Sequence, residues 1–222
     1  MNLQTRLKQT VTIELSALTA LTLIFLLVFP ARPIFADVGL ALLALILLVL
    51  NIRYTKNTIW RQFPPSGDRC SRMRKAYLLV GSMTTILVTG LFATGLILGH
   101  REGGWEAAVD RVGNWHFLPA LALYFPWALL QQALFQFYLL GRLRIVLPSA
   151  VAISCTGIIF ALVHLPDVAA TVAAAVAGVF WVYVYDRYRM LSPLALSHAL
   201  LGTTFYYWIC GRDLAGEWAV LP

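Results

Sequence analysis

The sequence predicts an all-α, polytopic integral membrane bundle of about seven transmembrane helices, N-terminus inside and C-terminus outside, and three observations carry that prediction. The 222 residues are 60% hydrophobic and 12% charged, with a mean hydropathy of +0.76, against about 25% charged residues in a soluble domain. The apolar residues come in blocks of about 20, the length that crosses a hydrocarbon core roughly 30 Å thick. The Lys and Arg residues, finally, gather on one side of the alternating breaks between those blocks.

Taken in order, the apolar blocks run over 11–30, 34–52, 77–99, 117–140, 150–165, 168–185 and 191–210. Arg6 and Lys8 precede the first block as they would in a signal peptide, but the block is long enough to span and reads as a retained helix. With the N-terminus in the cytoplasm, Arg6, Lys8, the insert 53–75, Arg142, Arg144, Arg187 and Arg189 share one side, which collects thirteen of the 17 basic residues. Arg32, Arg101, Arg111 and Arg212 fall on the other, and that asymmetry sets the orientation expected of a multi-pass protein of a cell membrane, here a bacterial inner membrane.

Three parts follow from this layout: N-terminal membrane helices over 1–116 with the basic loop 53–75, a core over 117–210, and a short extracytoplasmic tail over 211–222. The loop carries Pro64-Pro65-Ser66-Gly67 and seven basic residues, and reads either as a segment lying near anionic headgroups or as a topology determinant alone. The net charge of +7 sits in these short breaks and not on an independent domain, so no nucleic-acid partner is expected. Cys70, Cys155 and Cys210 are widely spaced, with no Cys-x-x-Cys pair, and read as separate thiols. No internal repeat is evident, which counts against a transporter built from matching halves.

Polar residues inside apolar helices are the informative ones, because unpaired hydrogen-bonding groups are costly in hydrocarbon. They concentrate in three blocks: Gln131, Gln132 and Gln136 in the fourth, His164 at the end of the fifth, Ser197 and His198 in the seventh. Gln132 and Gln136 are spaced to share a helical face, with Gln131 about 100° away, and Phe160 and His164 have the same spacing. Pro126, one to two turns before the glutamines, is placed to kink its helix and widen a cavity. Two readings stand side by side: a site wall, or interhelical hydrogen-bond glue worth about 0.6 kcal/mol per contact.

Elsewhere the polar residues read as structural. Glu14 and Asp37 lie near span ends, where a carboxylate reaches headgroups or water. His100 and His116 bracket Glu102, Glu106 and Asp110 in a segment expected to be a solvated loop, without metal-ligand spacing. Cys155 is expected to pack, since a thiol in apolar surroundings is inert.

The run Gln131-Gln132-Ala-Leu-Phe-Gln136, then Phe160-Ala-Leu-Val-His164, then Leu191-Ser-Pro-Leu-Ala-Leu-Ser-His198-Ala resembles, in order and spacing, the CPBP family of intramembrane proteases. That family comprises the type II CAAX prenyl endopeptidases and the bacterial bacteriocin-processing and immunity proteins similar to them. Its pattern is Glu-Glu-x-x-x-Arg, Phe-x-x-x-His and His-x-x-x-Asn or Asp, so its two glutamates fall on Gln131 and Gln132, its arginine on Gln136 and its last residue on Gly202. The resemblance covers roughly 117–210 and implies that a glutamate and the first histidine activate a water, while the second histidine and the Asn steady an oxyanion.

Here the carboxylates are absent, and an amide can orient a water but cannot take its proton. His164 or His198 is left as the base. Two negative charges and one positive are replaced together by three neutral glutamines of similar shape, which favours a retained pocket with altered chemistry. What the resemblance implies is therefore a divergent endopeptidase with Gln131, Gln132, His164 and His198 as catalytic residues, supported by Gln136, Phe160 and Gly202. The alternative is an inactive module that holds a peptide or a partner helix.

The expected partners are the lipid bilayer and a membrane-embedded or lipid-anchored peptide, and no feature speaks for or against pairing of the bundle with itself. No cofactor is expected: two histidines without carboxylates make a poor zinc site, though a divalent metal stays open. By depth, His164 falls near the outer end of its span, about 15 Å from the glutamines at 1.5 Å per residue. A turn at Pro166-Asp167 enclosed in protein would reconcile them, with Asp167 either orienting His164 or solvated.

Overall fold

The computed structural model describes residues 3–28, 39, 42–43, 45–46, 48–50, 53 and 67–219; more than half of the second expected span, Asp37 and most of the basic loop lie outside them. Every regular element among the described residues is helical: α1 (Leu3–Val28), α2 (Arg69–Gly113), α3 (Phe117–Gln132) leading through a π-helical turn (Ala133–Leu139) into α4 (Leu140–Val146), α5 (Ser149–Leu162), α6 (Val168–Tyr188), α7 (Ser192–Thr204) with a second π turn (Phe205–Ile209), and α8 (Leu214–Ala219). Among the described residues, the runs Arg69–Gly113, Phe117–Val146 and Val168–Tyr188 are long and apolar enough to cross a membrane, and Ser149–Leu162 is apolar but shorter.

The distribution of polarity is that of a membrane protein. Ile86, Leu118, Val172 and Val176 are exposed, while Gln132, Gln136, Thr156, Thr203 and Thr204 are fully buried. In water each exposed aliphatic side chain would cost about 1.5–3 kcal/mol relative to burial. In lipid that cost disappears, and it is the polar groups that must turn inward. Thr156, Thr203 and Thr204 satisfy their hydroxyls by donating to carbonyls three or four residues back, at 2.8–3.0 Å.

The chain divides into two compact units, residues 1–66 with 133–187 and residues 67–132 with 188–222. One of the three boundaries, between Gln132 and Ala133, falls where the π turn begins.

In the first unit α1 packs on α4, and the bond between them is polar. Tyr138 Oη donates to Glu14, Arg142 Nε donates to both of its carboxylate oxygens at 3.3 Å, and the guanidinium lies 4.5 Å from the Tyr138 ring centre. Glu14 is thus not the headgroup-reaching carboxylate expected of a span end: Arg142, 3% exposed, needs a counter-charge once it is out of water. Arg144 similarly pairs with Asp186 at 2.7 Å. In the same unit α5 and α6 meet through glycines. A Cβ on Gly157 would come within 3.0 Å of Val179 Cα, and one on Gly178 within 2.7 Å of Phe160 Cδ1.

The second unit corrects two further expectations. Residues 69–75 of the presumed loop are the start of α2, where Asp68 caps the helix by accepting from Ser71 N at 2.9 Å. The segment 100–113, expected as a solvated loop, is helical, with a break at Gly103 and Gly104, the latter at φ 77. Beyond the break the chain folds back so closely that a Cβ on Gly99 would stand 2.6 Å from Ala108 Cα. Only small residues permit that approach. The unit's core gathers Ala120, Tyr207, Trp208 and Leu214, with Phe117 stacked on Trp208 at 5.6 Å.

Candidate functional site

α3 positions Gln131 and Gln132, and it continues through Pro126 to the end of Gln132. The departure from α geometry comes after the first two glutamines, in the π turn that contains Gln136, a feature frequent at functional sites. Apolar periodicity gave no warning of it, because one extra residue per turn leaves a wholly apolar pattern unchanged. The structure places the predicted residues in both units, and each set is described by itself.

In the second unit Gln132 is fully buried and His198 is 4% exposed. The Gln132 amide nitrogen lies 3.3 Å from His198 Nδ1. An amide nitrogen can only donate, so Nδ1 accepts and the neutral ring carries its proton on Nε2. His198 sits on α7, which starts at Ser192-Pro193, a favoured opening for a helix. Its neighbour Ser197 receives the Thr84 hydroxyl at 2.7 Å, which ties α7 to α2. Gln131, on the same turn as Gln132, is half-buried, and its Oε1 has no hydrogen-bond donor among the described residues.

Tyr124 completes this half. Its ring meets His198 edge-on, with centroids 5.8 Å apart and planes at 87°. A Cβ on Gly202 would stand 2.7 Å from Tyr124 Cε1 and 3.2 Å from its hydroxyl. The sequence reading missed Tyr124; its spacing of eight residues before Gln132, about two helical turns, was the available signal.

In the first unit Phe160 is fully buried and sits edge-on to Phe135, Trp181 and His164, with centroids 5.1–5.8 Å apart. α5 ends at Leu162, three residues before the expected end, and backbone bonding tightens there: His164 N donates to Ala161 O at 3.0 Å. The Phe160 carbonyl, which a continuing α-helix would pair with the amide of residue 164, instead accepts from the His164 ring, at 2.8 Å from Nδ1. A carbonyl can only accept, so Nδ1 carries the proton and Nε2 holds the basic lone pair. Gln136 is fully buried in the π turn.

The turn after His164 is not enclosed as expected. Leu165 and Pro166 are exposed, and Asp167 is half-buried. The Asp167 carboxylate accepts from Ala170 N at 2.9 Å, capping α6, while its own N–H donates to the His164 carbonyl at 3.1 Å. A carboxylate committed to a helix start explains the residue without a role in orienting the imidazole.

Among the described residues no three His, Cys, Asp or Glu side chains converge as a metal site. Outside the predicted site, His116 bonds to Asp213 through Nδ1, Tyr207 Oη donates to the same carboxylate at 2.6 Å, and Gly216 N donates to it at 3.0 Å. Desolvation raises the Asp213 carboxyl, but the bonds from Tyr207 and Gly216 and the His116 imidazole outweigh it and hold it low, at about 2.

The family model described as type II CAAX prenyl endopeptidase Rce1-like matches residues 113–204. That stretch runs from the end of α2 to the end of α7 and contains all seven residues singled out from the motifs. No curated protein and no solved structure matches the chain.

Proposed function

We propose that this chain, whose residues 113–204 match the type II CAAX prenyl endopeptidase Rce1-like family model, is a divergent intramembrane endopeptidase of the CPBP type that hydrolyses a peptide bond of a membrane-associated substrate. The observation that carries the reading is the hydrogen bond from His164 Nδ1 to the Phe160 carbonyl at 2.8 Å. It orients the ring and makes Nε2 the basic nitrogen, in a chain whose two family glutamate positions hold amides.

In the proposed reaction water gives a proton to His164 Nε2 as its oxygen bonds to the substrate carbonyl carbon, and the carbonyl electron pair moves onto oxygen. When the tetrahedral adduct collapses, the C–N bond breaks and the imidazolium returns the proton to the leaving amine. By its place at a glutamate position of the family pattern, Gln131, whose Oε1 meets no donor among the described residues, is assigned to accept from the attacking water. His198, with its proton on Nε2, is suited to donate to the oxyanion. Gln136, Phe160 and Gly202 support these groups. The substrate class is a membrane-embedded or lipid-anchored peptide. The same reading keeps about seven helices, N-in and C-out, in a bacterial inner membrane, supported by the thirteen of 17 basic residues on one side.

A second reading, a non-catalytic module that holds a peptide or partner helix, is favoured by one observation: the space beside Gly202 is already filled by the Tyr124 ring. Cleavage of candidate membrane peptides by the full chain in liposomes separates the two. Proteolysis lost in His164→Ala but retained in Ile86→Ala, a change on a lipid-facing position, supports the enzyme. A native chain without activity that gains it as the Gln131→Glu, Gln132→Glu, Gln136→Arg triple variant overturns it for the second reading.

A further inference from the structure

We infer that Gln132 is a positioning residue that sets the tautomer of His198, holding its proton on Nε2 and so making it a hydrogen-bond donor and not a base. The tautomer rests on the contact of the Gln132 amide nitrogen with His198 Nδ1; its catalytic consequence rests on the proteolytic reading above.

The argument begins with atom types. Gln132 Nε2 lies 3.3 Å from His198 Nδ1, and an amide NH2 has protons to give and no basic lone pair. Nδ1 must therefore present its lone pair, which leaves the single proton of the neutral ring on Nε2. Both side chains are buried, the amide completely and the imidazole to 4% exposure, so water does not compete for Nδ1 as it would at a surface. The ring has little room to turn over, since the Tyr124 ring stands edge-on to it.

A carboxylate at 132 would have the opposite effect. Its oxygens only accept, so Nδ1 would carry the proton and Nε2 would become the basic nitrogen. Exchanging one oxygen for an NH2 thus moves a proton across the imidazole without altering the shape of either side chain. In this chain the two histidines consequently hold opposite tautomers, His164 with Nδ1–H against the Phe160 carbonyl and His198 with Nε2–H. One can take a proton and the other can donate a hydrogen bond. With the first motif neutral, the Gln132 amide thus keeps His198 a donor, while His164 keeps its basic Nε2.

The test reads the tautomer directly. The full chain, labelled with 15N-histidine and held in lipid nanodiscs at a pH where the rings are neutral, is measured by long-range 1H–15N correlation. The four histidines are assigned by the signal lost in each single His→Gln variant. His198 is expected as Nε2–H in the native chain and as Nδ1–H in Gln132→Glu, with loss of the single tautomer in Gln132→Met, which keeps the volume without the donor. His164 is expected as Nδ1–H throughout and serves as the internal control. A native His198 with its proton on Nδ1, or one that stays Nε2–H in Gln132→Glu, overturns the inference. Absence of cleavage by the native chain bears on the proteolytic reading alone, because the tautomer is observed without substrate.

Discussion

Tyr124 fills the space beside Gly202: a Cβ added to the glycine would lie 2.7 Å from the ring. The glycine and the aromatic ring are therefore one packing unit on α7 and α3. An asparagine at 202, as the family pattern has it, has no room while the ring stays in place. We predict that Gly202→Asn lowers stability by about 1–3 kcal/mol, the usual cost of overpacking, and that Tyr124→Ala restores part of that loss. Thermal unfolding in detergent of the two single variants and the double variant tests the coupling. Additive losses would show that the two positions do not share the space.

Arg142 is held by Glu14 across 128 positions of sequence. Removing the carboxylate in Glu14→Leu strands a guanidinium that is 3% exposed and is expected to cost about 3 kcal/mol, the lower end for breaking a buried pair because Glu14 is partly exposed. Glu14→Leu combined with Arg142→Met is expected to be more stable than Glu14→Leu alone. Chemical unfolding in detergent gives the comparison, and a double variant less stable than the single would rule out charge burial as the cause.

Asp213 links stability to acid pH. Its carboxyl is held at about 2, below its ordinary 3.8, so the folded state binds that proton less readily than the unfolded chain. The contribution is present in full above about pH 4 and is lost as pH falls through the folded value. Thermal midpoints measured from pH 5 downward are expected to drop more steeply in the native chain than in Asp213→Asn. Parallel curves would remove Asp213 from the acid response.

On the proteolytic reading His164 and His198 serve one reaction. His164→Ala and His198→Ala are each expected to lower kcat by about 10²–10⁴, and the double variant to be little worse than the weaker single, as found for residues that act as a unit. Cleavage rates of the three variants on one peptide decide this. Fully multiplicative losses would argue for independent roles.

Much of the fold was legible in the residues because apolar block length and inward-turning polar side chains are local properties. Gln131 and Gln132 lie on one helix and Phe160 on the next, as the residues lead one to expect, but Gln136 falls in the π turn and His164 beyond the end of α5. Local chemistry misled where small residues acted through neighbours. The Gly103-Gly104 pair with Ala108 turned an expected loop into a folded-back helix, and α5 stopped early, with the Phe160 carbonyl accepting from the His164 ring.

By itself the sequence determined that this chain is a helical membrane protein, and where along it amides and imidazoles interrupt the apolar blocks, because hydrophobic length and residue type are enough for each. Only the tertiary structure decided that Glu14 neutralises Arg142, that Tyr124 stands in the place of a side chain at 202, and which group meets the Nδ1 of His164 and of His198. Those outcomes depend on which donor or acceptor arrives from a distant part of the chain, and hydrogen bonds, unlike hydrophobic burial, are selective for the atom they meet.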